Sequence, residues 1–399
     1  MPPTKILDSH IHLWPANATS SANHGWMTPG HPLAKRHGIS DYNAAVRASS
    51  PSVQPKGFVY VETDRFLLSA KPDILHDEVE AVRTGDIAAK QAVKSKLEEW
   101  AKEPLEELRF LRRIVEGRSE GEKNDGFEVN DGDEMLAMVI WAPLNLRPAL
   151  FQMYLEIAAD VAGAKTWERV AGFRYLMQGI KQQKEMEELV LGQDWLENLV
   201  SQSKGRAGRG WTFDIGVDTR SGGVWQVEVA ATMVERARKM EAERGLGSVK
   251  FILNHFCKPD LSQAINPNSF RWKAAISRLA AQPNVYMKLS GAFSEFGDNQ
   301  KAPASREEIV ERLEFYVKEV VDRFGSFSCN RIMFGSDWPV CNLGGPKGEQ
   351  SWGFWREVVD ASLGRLKPSI DEALINYSAA MENLWWKAAA DAYGIQLGD

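Results

Sequence analysis

Eight short apolar runs, each followed by a helical stretch, limit most strongly what this chain can fold into. They cover 5–12, 56–64, 135–142, 170–176, 212–217, 249–255, 284–291 and 331–337. The second is rich in β-branched and aromatic residues, as strands are. The third is apolar throughout, as expected of a strand covered on both faces. Strand and helix alternating eight times is the order of a (β/α)8 TIM barrel, an α/β fold. An open doubly wound sheet has the same alternation, but no glycine-rich phosphate turn follows the first run. With 399 residues the chain has the length of one barrel with insertions.

The connections vary in character. A polar loop over 15–38, carrying His24, Trp26 and His31, follows the first strand directly, where binding residues often sit. Ser40 is positioned to cap a short helix reaching Arg47. The stretch 66–133, between the second and third strands, reads as a helical insertion plus a solvated loop inside a single domain spanning 1–399. Pro104 divides it, and Leu105, Leu108, Leu111 and Val115 then form one apolar stripe. Pro148 suits a helix start. Ser305 with Glu308 has the spacing of a capping box. From Ser369 the tail is amphipathic, with Ile370, Ala373, Leu374, Tyr377, Met381, Leu384 and Trp385 on its buried side.

Composition excludes several classes. A net charge of −6 without a dense basic block gives no footprint for nucleic acid or anionic membrane. No apolar stretch approaches the roughly 18 residues of a membrane span, and no signal peptide is visible. Three cysteines without a C-x-x-C pair fit a reducing compartment, so a cytoplasmic enzyme is expected.

The polar residues that end these runs suggest chemistry. Asp8, His10 and His12 are two apart, so in a regular strand they share one face. Glu62 and Asp64 likewise share a face at the end of the second strand. Arg174 lies in the fourth strand, His255 ends the sixth and Asp337 the eighth. Barrel closure brings the eighth strand beside the first, so these groups converge at one mouth. Three imidazoles and a carboxylate suit zinc in ligand type. The same set works without metal if Asp337 takes a proton from water while imidazoles hold the polarised carbonyl. The plainer alternative is a pair of hydrogen-bonded histidines near the surface.

The chain resembles the amidohydrolase-related lactonase branch of the amidohydrolase superfamily. The resemblance rests on Asp8-Ser9-His10-Ile11-His12-Leu13-Trp14, Gly172-Phe173-Arg174, Asn254-His255-Phe256-Cys257-Lys258-Pro259, Lys288-Leu289-Ser290-Gly291 and Phe334-Gly335-Ser336-Asp337-Trp338-Pro339. It implies a barrel of metal-dependent-hydrolase type that opens lactones of sugar acids or of aromatic breakdown products. Two departures bear on the metal. Arg174 stands near where the wider superfamily has a metal-bridging lysine, and the fifth strand carries no histidine. A single divalent metal, zinc first, or none is therefore favoured over a pair. Asn254 and Cys257 replace the Asp and Gly of the branch's usual sixth-strand motif, which bears on how His255 is oriented.

With the resemblance, Asp337, His255 and Arg174 are the catalytic candidates, and His10, His12, His255 and Asp337 the metal ligands. Trp14, Arg174, Tyr175, Lys258, Trp338, Glu62 and His24 are the candidates for contact with a small-molecule substrate. Arg174 either binds a substrate acid group or pairs with an acid such as Glu62. Cys257 and Cys341 read as buried thiols. Hydrolysis of a sugar-acid or carboxylated lactone is the expected reaction. A decarboxylase of an aromatic or unsaturated acid and a non-catalytic binding barrel are the alternatives.

Overall fold

The computed structural model describes residues 3–397 apart from 50–51, 119–124, 264, 298–300, 326–327 and 373–376. Ala373 and Leu374 of the tail stripe lie outside the described residues, as does part of the loop expected before Asp133. Eight parallel strands form one sheet in sequence order: β1 (Ile6–Ile11), β2 (Pro55–Val61), β3 (Met135–Trp141), β4 (Val170–Arg174), β5 (Thr212–Ile215), β6 (Lys250–Leu253), β7 (Val285–Leu289) and β8 (Ile332–Phe334). The sheet curls until β8 meets β1. Trp338 bridges Ile11, the Asp337 N–H donates to His10 O at 2.9 Å, and the His12 N–H donates to Trp338 O at 2.8 Å. This is a nearly closed (β/α)8 barrel.

Alternation along the strands sorts the apolar side chains into two packing layers. Val59, Val61, Val139, Ile252 and Met333 cluster together, and Phe58, Tyr60, Met138 and Ile140 join the larger core that includes the surrounding helices. The C-terminal helix Ala388–Tyr393 packs with the first group, against β1 and β8. Helices His76–Arg83, Ile87–Trp100 and Lys102–Glu116 lie between β2 and β3. Pro104 stands in the first turn of the last of these, where its missing N–H costs nothing. No helix among the described residues is long and apolar enough to cross a membrane.

Three local expectations need correction. Ser40 is not the cap of the first helix, which spans Ile39–Ala48. Gly38 is, and a Cβ there would fall 2.3 Å from Gly126 O. Ser305 accepts from the Glu308 N–H at 3.3 Å, without the reciprocal half of a capping box. Asp8 does not share a face with His10 and His12. The pairing of β1 with β2 slips on both sides of Asp8. Its carboxylate therefore turns to the helical layer, where it accepts from Trp352 Nε1 at 2.9 Å and Tyr42 Oη at 3.1 Å. It also accepts from the Ser336 N–H at 2.8 Å.

Asp8 thus ties β1, two helices and the segment after β8 at one buried point. Asp8→Ala strands those donors without water, at 1–3 kcal/mol for each. The expected loss is about 3 kcal/mol or more, measured as a lower urea midpoint at unchanged slope. A midpoint equal to that of the parent protein contradicts this role.

Candidate active site

Side chains reach the barrel mouth because the chain leaves its strands in an unusual conformation. Asp64 (φ 56°), His255 (φ 53°) and Asp337 (φ 61°) are left-handed, and so are Phe256, Cys257 and Lys258. Non-glycine residues rarely take this conformation. It ends the strands two or three residues earlier than the apolar runs suggest. It also accompanies the turn of His255 and Asp337 toward the axis.

Four groups meet there. His10 Nε2 and His12 Nε2 lie 3.2 Å apart. Asp337 Oδ1 lies 3.3 Å from His12 Nε2, 3.6 Å from His10 Nε2 and 3.7 Å from His255 Nε2. All four residues are buried. Gly291 (φ 63°) makes this approach possible. A Cβ there would lie 2.6 Å from His255 Nδ1 and 2.7 Å from Asp337 Oδ2.

Each imidazole is fixed through its other nitrogen. His12 Nδ1 donates to Val61 O at 2.8 Å, which leaves the Nε2 lone pair facing Asp337 and His10. His255 Nδ1 meets Ser290 Oγ at 2.8 Å, so β7 orients this ring and Asn254 does not. Both side-chain polar atoms of Asn254 lie buried without a partner among the described residues. His10 Nδ1 faces Lys288 Nζ at 3.2 Å, and Lys288 pairs with Asp214 at 2.7 Å. Asp214 in turn accepts from Tyr393 Oη at 3.0 Å. Burial, then the Lys288 charge, lowers the pKa of His10 well below the usual imidazole value. Burial brings His255 to about 3, although Asp337 opposes it. Asp337 itself is buried, yet His255 and His12 hold its carboxyl below the usual range. Neutral His10 and His255 therefore stand beside a carboxylate.

The comparisons with known proteins agree with this geometry. The family model for amidohydrolases matches residues 210–367. An L-rhamnono-gamma-lactonase of Scheffersomyces stipitis is 28% identical over 365 residues, covering 89% of this chain and 91% of that protein. Over residues 210–367 the chain is similar to the amidohydrolase family. An L-fucono-1,5-lactonase of Burkholderia ambifaria is 36% identical over 118 residues, 29% of this chain and 36% of the relative. A zinc-bound amidohydrolase of Burkholderia multivorans superposes over 98% of this chain and 100% of its own, with a TM-score of 0.60 and 21% identity, a likeness of fold.

The donor set at the barrel mouth suits one zinc-type cation. Tetrahedral ligands at about 2.0–2.2 Å stand about 3.3–3.6 Å from one another. His10, His12 and Asp337 present ligand atoms 3.2, 3.3 and 3.6 Å apart. His12 and Asp337 fit as they stand. His10 fits when Lys288 accepts at Nδ1, because a donating ammonium there places the imidazole proton on Nε2. Burial lowers the pKa of Lys288, and Asp214 opposes that shift.

Above these groups opens a cavity of about 260 Å³. Of the residues expected to contact substrate, Trp14, Arg174 and Lys258 line it. Glu62 does not. It lies fully buried, with Oε1 on Arg174 Nε, so the pairing alternative for Arg174 is realised while the arginine still faces the cavity. Tyr175 packs edge-on to Trp195 instead. Trp338 sits behind, against His37 and Tyr42. His24 is buried, its Nε2 on Thr63 Oγ1 at 2.8 Å. Sequence reasoning missed Trp26, Leu33, Gln178, Val340 and Leu343 as lining, and gave Asp64 no role. Trp26 and Leu33 belong to the polar loop after β1, which was a usable signal. Cys257 and Cys341 are buried thiols whose pKa values burial raises.

Gly291→Ala is expected to push His255 and Asp337 apart while the fold survives. Misplacement of about 1 Å costs about 10²-fold in rate. The comparison of kcat with the melting temperature checks this. Full activity in the variant would show that the close approach is dispensable.

Proposed function

We propose that this protein opens the lactone of a sugar acid that carries no further charge, with the chain working as one barrel unit. The observation that carries this is the carboxylate of Asp337 set among three imidazoles at the floor of a cavity of sugar size. The relatives named as sugar-acid lactonases support it. The cavity's cations refine the substrate. Arg174 is paired with Glu62, and Lys258 lies 3.9 Å from Glu295. Both cations already have a carboxylate partner within the protein. Asp64 adds a carboxyl of its own, and Trp14, Trp26, Leu33, Val340 and Leu343 supply an apolar wall. Such a pocket suits a ring with hydroxyls on one side and carbon on the other better than a carboxylated lactone. The decarboxylase reading has less support for the same reason, because it needs a seat for an acid group.

The chemistry follows from the positions. Asp337 accepts a proton from water as that water adds to the ring carbonyl. His255 donates from Nε2 to the carbonyl oxygen when Ser290 donates to its Nδ1. Arg174, always charged, faces the developing oxyanion across the cavity. His10, His12 and Asp337 would hold a divalent cation, whose contribution there is Lewis-acid polarisation of the carbonyl.

Asp337→Asn keeps size and shape but cannot accept the proton. Turnover of rhamnono- and fucono-type lactones, followed by acid release with a pH indicator, is expected to fall by about 10³-fold or more, with the melting temperature held. Undiminished hydrolysis by the variant would rule this mechanism out. Release of carbon dioxide instead of acid would move the protein to the decarboxylase class.

A further inference from the structure

Asp337 is not the only carboxyl at the cavity: Asp64 lines it as well, from the end of β2. β1 stands between β2 and β8, so the two carboxyls come from the chain segments on either side of the strand that leads to His12. The left-handed backbone of Asp64 (φ 56°) is held by its own N–H, which donates to Glu62 Oε2 at 2.6 Å. Glu62 grips Arg174 with its other oxygen. The side chain is exposed, but its backbone is fixed in direction by a fully buried carboxylate. No hydrogen bond or ion pair to its carboxyl is seen among the described residues, and the side chain is open to the cavity.

We propose that Asp64 is the general acid of ring opening. This rests on the lactonase reading. Asp337 removes one proton from water while the new C–O bond forms. The bond between the acyl carbon and the ring oxygen then breaks, and its electron pair stays on the ring oxygen. That oxygen takes the proton of Asp64 and leaves as a hydroxyl. Asp337 and the new acid each give a proton to solvent, and Asp64 regains one, so one proton is released per turnover.

The surroundings of the two carboxyls divide the labour. Asp337 lies 3.3–3.7 Å from the Nε2 atoms of His12, His10 and His255, the place of the base. Burial and then Glu62 raise Asp64 to about 7, against the opposing charge of Arg174. Glu107, from helix Lys102–Glu116, adds to the rise. Lys258, from the segment after β6, and Asp337 are the other charged groups facing the same cavity.

The leaving group distinguishes this role from a structural one. An aldonolactone expels a sugar alkoxide, which needs a proton. Dihydrocoumarin expels a phenolate, which does not. Asn tolerates the left-handed conformation, so Asp64→Asn is expected to fold. The variant should lose about 10²- to 10³-fold in kcat on the aldonolactone and stay within about threefold on dihydrocoumarin. The decline of wild-type aldonolactone kcat/KM above about pH 7 should disappear in the variant. An equal loss on both substrates, or a loss on neither, overturns the proposal and leaves the lactonase reading intact. Failure of the wild-type protein to open either lactone overturns both.

Discussion

The closure of β8 onto β1 is the constraint on which the rest of the molecule depends. Strand order alone would permit an open sheet. The bridge from Ile11 to Trp338, the Asp337 N–H on His10 O and the Asp8 carboxylate under Ser336 make it a barrel. The same contacts bring Asp337 to His10 and His12. Folding and site assembly are therefore one event here. A β1 in regular register would send Asp8 inward beside the histidines and leave the seam without its clasp.

Below the histidines the barrel interior is charged. Tyr393, Asp214, Lys288 and His10 form a buried chain from the C-terminal helix to the mouth. An ion pair at such depth loses much of its attraction to desolvation, so its worth lies more in position than in net stability. It holds the first imidazole from below, as Ser290 and Val61 hold the other two from the side. Each histidine then has one nitrogen committed to the scaffold and one given to the mouth.

Much of this was legible in the chain. All eight strands appeared as apolar runs, and His10, His12, His255 and Asp337 were visible as polar residues ending them. Those signals are local. What escaped depends on partners far away or on backbone with no signature in composition. The slip around Asp8 reverses one side chain without changing the pattern. The left-handed run from His255 to Lys258 contains no glycine to announce it. Lys288 and Ser290 sat in a motif, but only the folded barrel shows them reaching His10 and His255. The pairing of Arg174 with Glu62 spans 112 residues and was one of two open alternatives.

Glu62 has a consequence for how such an enzyme changes its diet. One carboxylate, fully buried, carries both Arg174 and the backbone of Asp64. Arg174 cannot drift alone, since replacing it leaves a buried carboxylate without its cation, whereas the bond to the Asp64 N–H is to backbone and survives a side-chain change. Trp26, His31 and Leu33, in contrast, hang from the loop after β1, where Trp26 Nε1 donates to Thr63 O at 3.0 Å and no hydrogen bond from the three to Glu62 is seen among the described residues. Divergence in what the cavity accepts would accumulate in that loop, while Arg174 and Glu62 are inherited as a pair.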